Sequence, residues 1–212
     1  MGTRLTRELL DRGHAVRALA RAGSESKVER GAEAVCGDAL NASTFAAGLR
    51  GCDAIVHLTG TAHPAPWKER QFRAIDQASL RATLAAAGQA GVNRLVYVSV
   101  AHPAPTMRAY IAVRMECEAA IAEAGLNANI LRPWYVLGPG HRWPTLLKPL
   151  YRFFEKRTST RDSAFRLGLV TIDEMVAALV WAVENPADGI RVIDVPRIRE
   201  LGKRASALLP VG

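Results

Sequence analysis

The chain has 212 residues, 49% hydrophobic and 6% aromatic, with 28 Lys and Arg against 20 Asp and Glu and a formal net charge of +8. That length and apolar content exclude an intrinsically disordered chain, and the longest apolar run, residues 175–183, is far shorter than the ~20 residues of a membrane helix. The charge excludes a nucleic-acid stripe: blocks 1–50, 51–100, 101–150 and 151–212 each carry the same small basic excess, with one local concentration of seven basic residues at 142–166.

In chain order, residues 3–11 predict a helix that stops at Arg12-Gly13. Residues 14–20 predict a strand, 34–36 a short strand ending at Gly37-Asp38, 44–49 a short helix, and 54–58 a buried strand ending at Thr59-Gly60. Residues 69–90 predict a long alanine-rich helix stopped by Gly91, and 95–100 a second buried strand. A helix over 107–124 is stopped by Gly125, and 128–131 is a third buried strand. Residues 172–184 predict a helix stopped by Asn185-Pro186. Strands that alternate with helices and read as continuous apolar runs predict a parallel, doubly wound sheet covered on both faces. Such a unit opens on a strand and a Gly-rich turn before its first helix. Here Met1-Gly2-Thr3 begins at the helix, so the expected α/β, Rossmann-like sheet lacks its usual first strand and has a gap in its middle. One domain is expected over 1–212, with a small C-terminal lid or substrate region at 139–170. Met1 leads into charged, helix-like sequence with no secretory leader. Cys36, Cys52 and Cys117 form no CxxC pair and read as reduced thiols. The expected setting is the cytoplasm.

The series Arg12-Gly13-His14, Arg21, Gly37-Asp38, His57-Leu58-Thr59-Gly60, Val96-Tyr97-Val98-Ser99, Tyr110 with Arg114 four residues on, and Leu131-Arg132-Pro133 carries a resemblance through its order and spacing. It resembles the extended and atypical short-chain dehydrogenase/reductase superfamily, over residues 2–200, and is most similar to its NAD(P)-binding, NmrA-like and epimerase/dehydratase-like branches. The resemblance implies a dinucleotide site. Gly2 matches the last glycine of the family's G-x-x-G-x-x-G turn, where a pyrophosphate meets a helix N-terminus. Gly2 also reads as an ordinary second residue, and Met-Gly-Thr-Arg-Leu-Thr fits an N-myristoylation pattern. Arg21 follows the second family strand, where a basic residue favours a 2′-phosphate and so NADP, with NAD the other choice; a solvated surface arginine is the plain alternative. Asp38 matches the adenine position or is turn chemistry. Leu58, Thr59 and Gly60 close a strand at the carboxyl edge, where open α/β sheets bind ligands. Pro133 and Tyr135 belong to a segment that wraps the nicotinamide end in the family, and residues 138–141 lead on to the substrate region.

The resemblance also implies a catalytic set: Tyr110 as general acid/base, Arg114 where the family has the Lys that lowers the tyrosine pKa, and Ser99 orienting a substrate carbonyl. Arg is not interchangeable with Lys at such a site, and Asp76 stands where many relatives place Asn. The alternative is that Tyr110 packs and Arg114 pairs with Glu118 at i+4. His57, His63, His102 and His141 share no metal-ligand spacing, so no metal is expected; His63 and His102, each before a proline, read as turn residues or substrate contacts. Residues 143–165, with Tyr151, Phe153, Phe154, Arg152 and Lys156, read as a lid packed on the body, with a phosphate-binding lid or a partner- or membrane-surface helix as alternatives. The function implied is hydride transfer at a carbonyl or hydroxyl carbon of a small-molecule substrate. The alternatives are a non-catalytic NAD(P)-binding module, resembling an NmrA-like sensor or a respiratory complex I accessory subunit, and an inactive truncated fragment. No nucleic-acid partner is expected.

Overall fold

A computed structural model describes residues 1–104, 106–137 and 168–207. The expected lid, apart from residues 168–170, lies outside the described residues, as does His141. Helix α1 (Gly2–Asp11) buries Leu5 and Leu9, one turn apart, and the chain leaves it through Gly13 at φ +83. Strands β1 (Arg17–Ala20) and β2 (Glu33–Cys36) pair in parallel. The short helix expected over 44–49 is instead two 3-10 turns, Ala42–Thr44 and Ala46–Leu49. Phe45, at φ −135 and ψ −6, separates them, and a run this short cannot offset the cost of nucleating an α-helix.

After β3 (Ile55–His57) comes a nearly continuous helical stretch: α2 (Glu69–Gln71), a π-helical segment Phe72–Gln77, and α3 (Ala78–Ala90), closed by Gly91 at φ +73. Then follow β4 (Arg94–Val98), α4 (Arg108–Glu123), β5 (Asn127–Arg132) and β6 (Tyr135–Leu137). The described chain continues with β7 (Leu169–Thr171), α5 (Ile172–Glu184), β8 (Ile190–Asp194) and α6 (Val195–Ala207).

All pairings are parallel, as expected. The largest sheet has the order β3-β4-β5-β8, while β1-β2 and β6-β7 form two-stranded sheets. Among the described residues β1 bonds only to β2 and β3 only to β4, so the sheet is interrupted at the predicted place. Strand alternation sends Val96, Leu131 and Ile193 into a core with Leu5, Leu9, Met175, Leu179 and Ile198 of α1, α5 and α6. Leu95, Tyr97 and Ile130 face the other way, toward Phe72, Leu80, Val113 and Ile121. Helices therefore cover both faces of the larger sheet, which explains why its inner strands read as unbroken apolar runs.

Two ion pairs fix the direction of α1. Arg4 meets Asp173 in the first turn of α5 at 2.6 Å, and Arg12 meets Glu184 at its end at 3.3 Å. The helices thus run parallel. The end of α5 leads to Gly189, whose carbonyl accepts the Ala128 amide at the amino edge of the sheet, so both helices begin at the carboxyl edge. No helix among the described residues is long and apolar enough to cross a membrane.

Candidate dinucleotide site

The carboxyl edge collects the sequence-predicted residues in two groups. The first lies around α1 and the β1-β2 sheet. Gly2 opens α1 with no side-chain cap and no acidic residue in the first turn, and open space lies where a Cβ would be. Its first N–H groups are therefore available to an anion. The Gly37 amide donates to the Ala20 carbonyl, which sets Arg21 and Asp38 side by side at adjoining strand ends. Arg21 is exposed, and its guanidinium makes no ion pair among the described residues. Asp38 is engaged by its own turn: its carboxylate accepts the Leu40 amide at 3.0 Å and its amide donates to Thr44 Oγ1 at 2.9 Å.

The second group is built on β3, the π-helical segment and α4. Arg114 is 5% exposed and directs all three nitrogens at protein partners. Its Nε donates to the Tyr110 hydroxyl at 3.1 Å, and one terminal nitrogen donates to the Tyr97 hydroxyl and the Val98 carbonyl, each at 2.9 Å. The other meets Asp76 Oδ1 at 2.6 Å. The guanidinium also lies against both tyrosine rings. Asp76, wholly buried, accepts the Thr61 amide at 3.0 Å and the Thr61 hydroxyl through its second oxygen. The alternative pairing of Arg114 with Glu118 is not formed. A wholly buried carboxylate from the π-helical segment takes the cation instead, as a buried charge requires, and Glu118 turns to Arg132 of β5.

The chemistry follows from burial. Desolvation pushes the Tyr110 hydroxyl above its ordinary value, opposed by the charge of Arg114, and acts the same way on Tyr97. Burial and, after it, the Arg114 charge hold His57 down at about 4, so it is neutral between Thr83 and Ser79. Leu58 packs on the first core, and Gly60, two residues on, lies over the Arg114–Asp76 pair.

Ser99, 3% exposed, donates its hydroxyl to Glu118, which Arg132 holds through two further bonds. His102 Nε2 lies 3.5 Å from Glu118 and makes no hydrogen bond. Pro133 is buried and its carbonyl accepts the Ala101 amide; Tyr135 is half-buried in β6, opposite Leu169. No group of three or more His, Cys, Asp or Glu among the described residues could hold a metal.

A family model described as NAD(P)H-binding matches residues 1–162. The chain belongs to the NAD(P)H-binding family. Solved structures share its Rossmann-like fold at low identity. WbmH from Bordetella bronchiseptica, in complex with NAD+, is 19% identical with a TM-score of 0.65, covering 99% of this chain and 78% of that one. A UDP-glucose 4-epimerase is 13% identical, TM-score 0.67, covering 97% and 78%. The dTDP-glucose 4,6-dehydratase DesIV of Streptomyces venezuelae, a double mutant with NAD bound, is 20% identical, TM-score 0.63, covering 98% and 77%. A search of curated proteins gives no match. These likenesses agree with the short-chain dehydrogenase/reductase resemblance carried by the motif order.

Sequence reasoning marked Asp76 only as a departure from relatives and gave Thr61, Tyr97 and Arg132 no role in a network. Asp76 and Arg114 are 38 residues apart, so their pairing is a product of topology. Glu118, one turn beyond Arg114 on α4, is the readable signal for the alternative pairing, but its partners in the fold are Ser99 and Arg132.

Proposed function

We propose that this member of the NAD(P)H-binding family binds NADP without using Tyr110 for hydride transfer. The observation that carries the reading is the commitment of Arg114: every nitrogen of its guanidinium has a partner inside the protein, in Asp76, Tyr97, Tyr110 and the Val98 carbonyl. Burial raises the Tyr110 hydroxyl above its ordinary value, which makes it a weaker proton donor to a carbonyl oxygen, and Arg114, the cation bonded to it, is neutralised by Asp76. Ser99 is likewise committed, to Glu118.

Binding draws on the carboxyl edge. The open first turn at Gly2 suits a pyrophosphate, and Arg21, exposed and with no ion pair among the described residues, suits a 2′-phosphate and so favours NADP over NAD. Asp38 would lie by the adenine, Leu58, Thr59 and Gly60 would form the floor, and Pro133 and Tyr135 would border the nicotinamide end. A bound nicotinamide would be able to supply a hydride; these residues would hold it in place. One observation favours the other reading, hydride transfer: Tyr110 and Arg114 stand one turn apart with their polar atoms at 3.1 Å. The test is NADPH consumption in the presence of aldehydes, ketones and sugar nucleotides. The expected result is no turnover above background, and turnover that Tyr110→Phe abolishes would overturn the proposal.

A further inference from the structure

Asp76 divides its two oxygens between two parts of the molecule. One receives the Thr61 amide and hydroxyl from the loop that leaves β3; the other receives Arg114 from α4. The loop backbone rests directly on this pair: a Cβ placed on Gly60 would lie 2.6 Å from an Arg114 nitrogen and 3.0 Å from Asp76 Oδ1. Beyond Thr61, Lys68 holds the Ala62 carbonyl at 2.7 Å, so the loop is fixed from both sides of Thr61. Asp76 sits within the π-helical segment Phe72–Gln77, and such a segment shifts side chains out of α-helical register, often where function needs it.

Two wholly or nearly buried charges are a costly way to stabilise a fold, because well-packed apolar residues often do as well or better. What the pair supplies and apolar residues cannot is direction. A carboxylate fixed by Arg114 accepts two hydrogen bonds from one residue and so sets the orientation of the backbone at Gly60 and Thr61.

We infer that Thr61 and Asp76 are positioning residues that clasp the strand-end loop, with Arg114 as anchor, in the conformation that receives the dinucleotide. The inference rests on the reading of this edge as a dinucleotide site. It gives the Arg114–Asp76 pair a role at that site without placing either side chain against the ligand.

The test measures NADPH affinity by fluorescence titration and the urea midpoint on the same preparations. Thr61→Val keeps the amide contact and removes the hydroxyl. We expect it to weaken NADPH binding roughly tenfold, the scale of one hydrogen bond to a buried carboxylate. Thr61→Ser, which retains the hydroxyl, is expected to recover most of the affinity. A Thr61→Val protein with a lower urea midpoint and unchanged NADPH affinity would overturn the clasp, since its contacts would then serve stability alone. If Thr61→Val does not fold, Thr61→Ala is read on the same two scales. Failure of the unsubstituted protein to bind NADPH would remove the dinucleotide reading and the clasp with it, whereas normal binding with an indifferent Thr61 would remove the clasp only.

Discussion

Arg114 and Asp76 depend on each other in a way no surface pair does. Asp76→Ala would leave a guanidinium at 5% exposure without its counter-charge, a change that costs about 3–5 kcal/mol in comparable buried pairs. Chemical denaturation is expected to show a loss of that size, a large share of the stability of an ordinary domain. His57 gives a second residue-scale consequence. Its pKa falls from 6.5 to about 4 in the fold because of burial and the nearby Arg114 charge. The unfolded chain therefore takes up a proton below pH 6.5 that the native protein refuses until about pH 4. The stabilising contribution is complete above 6.5 and is lost as the pH falls through that window. Unfolding free energies measured across the window are expected to drop less steeply for His57→Gln than for the unsubstituted protein.

Among the elements, α5 and α6 approach closely at Gly202. A Cβ there would lie 2.5 Å from Glu174 Cγ and 2.8 Å from Glu174 Cα, so the backbone itself is in the way. Glu174 cannot swing aside freely, because it closes the capping box with Thr171 at the start of α5. Gly202→Ala is expected to destabilise the protein by roughly 1–3 kcal/mol, measured by thermal or urea unfolding. The ends of α5 were legible for related reasons: Thr171 and Glu174 mark its start, Asn185-Pro186 its stop, and the predicted range matches the observed Ile172–Glu184. Other elements were not. The interior of the helical stretch at 69–90 hides a π-helical segment, because the one-residue shift of register carries no residue-type signal of its own. Strand β8 is an edge strand with Ile190 and Val192 more than 40% exposed and Arg191 between them, so it lacks the continuous apolar run that betrayed β4 and β5. Helix α6 buries only Val195, Ile198, Leu201 and Gly202 in a polar sequence, too thin a stripe to stand out beside α5.

At the scale of the whole molecule, parallel pairing and two-sided cover follow from the alternation of strands and helices, and among the described residues β1 pairs only with β2 and β3 only with β4. Within each sheet the expected strand-end residues lie at the carboxyl edge, because parallel strands place their carboxyl ends on the same side. Which side chains would bond to one another there was not legible. Arg114 reaches Asp76 and Tyr97, and Glu118 reaches Ser99 and Arg132, only after β3, β4, β5 and α4 are assembled. A dinucleotide at that edge would be held through the open first turn of α1 and the cation at Arg21. Titration of the protein with NADPH and with NADH, followed by nicotinamide fluorescence, tests this most directly. Both are expected to bind saturably with NADPH the tighter, and the preference is expected to shrink in Arg21→Ala; no saturable binding of either would contradict a dinucleotide site at this edge.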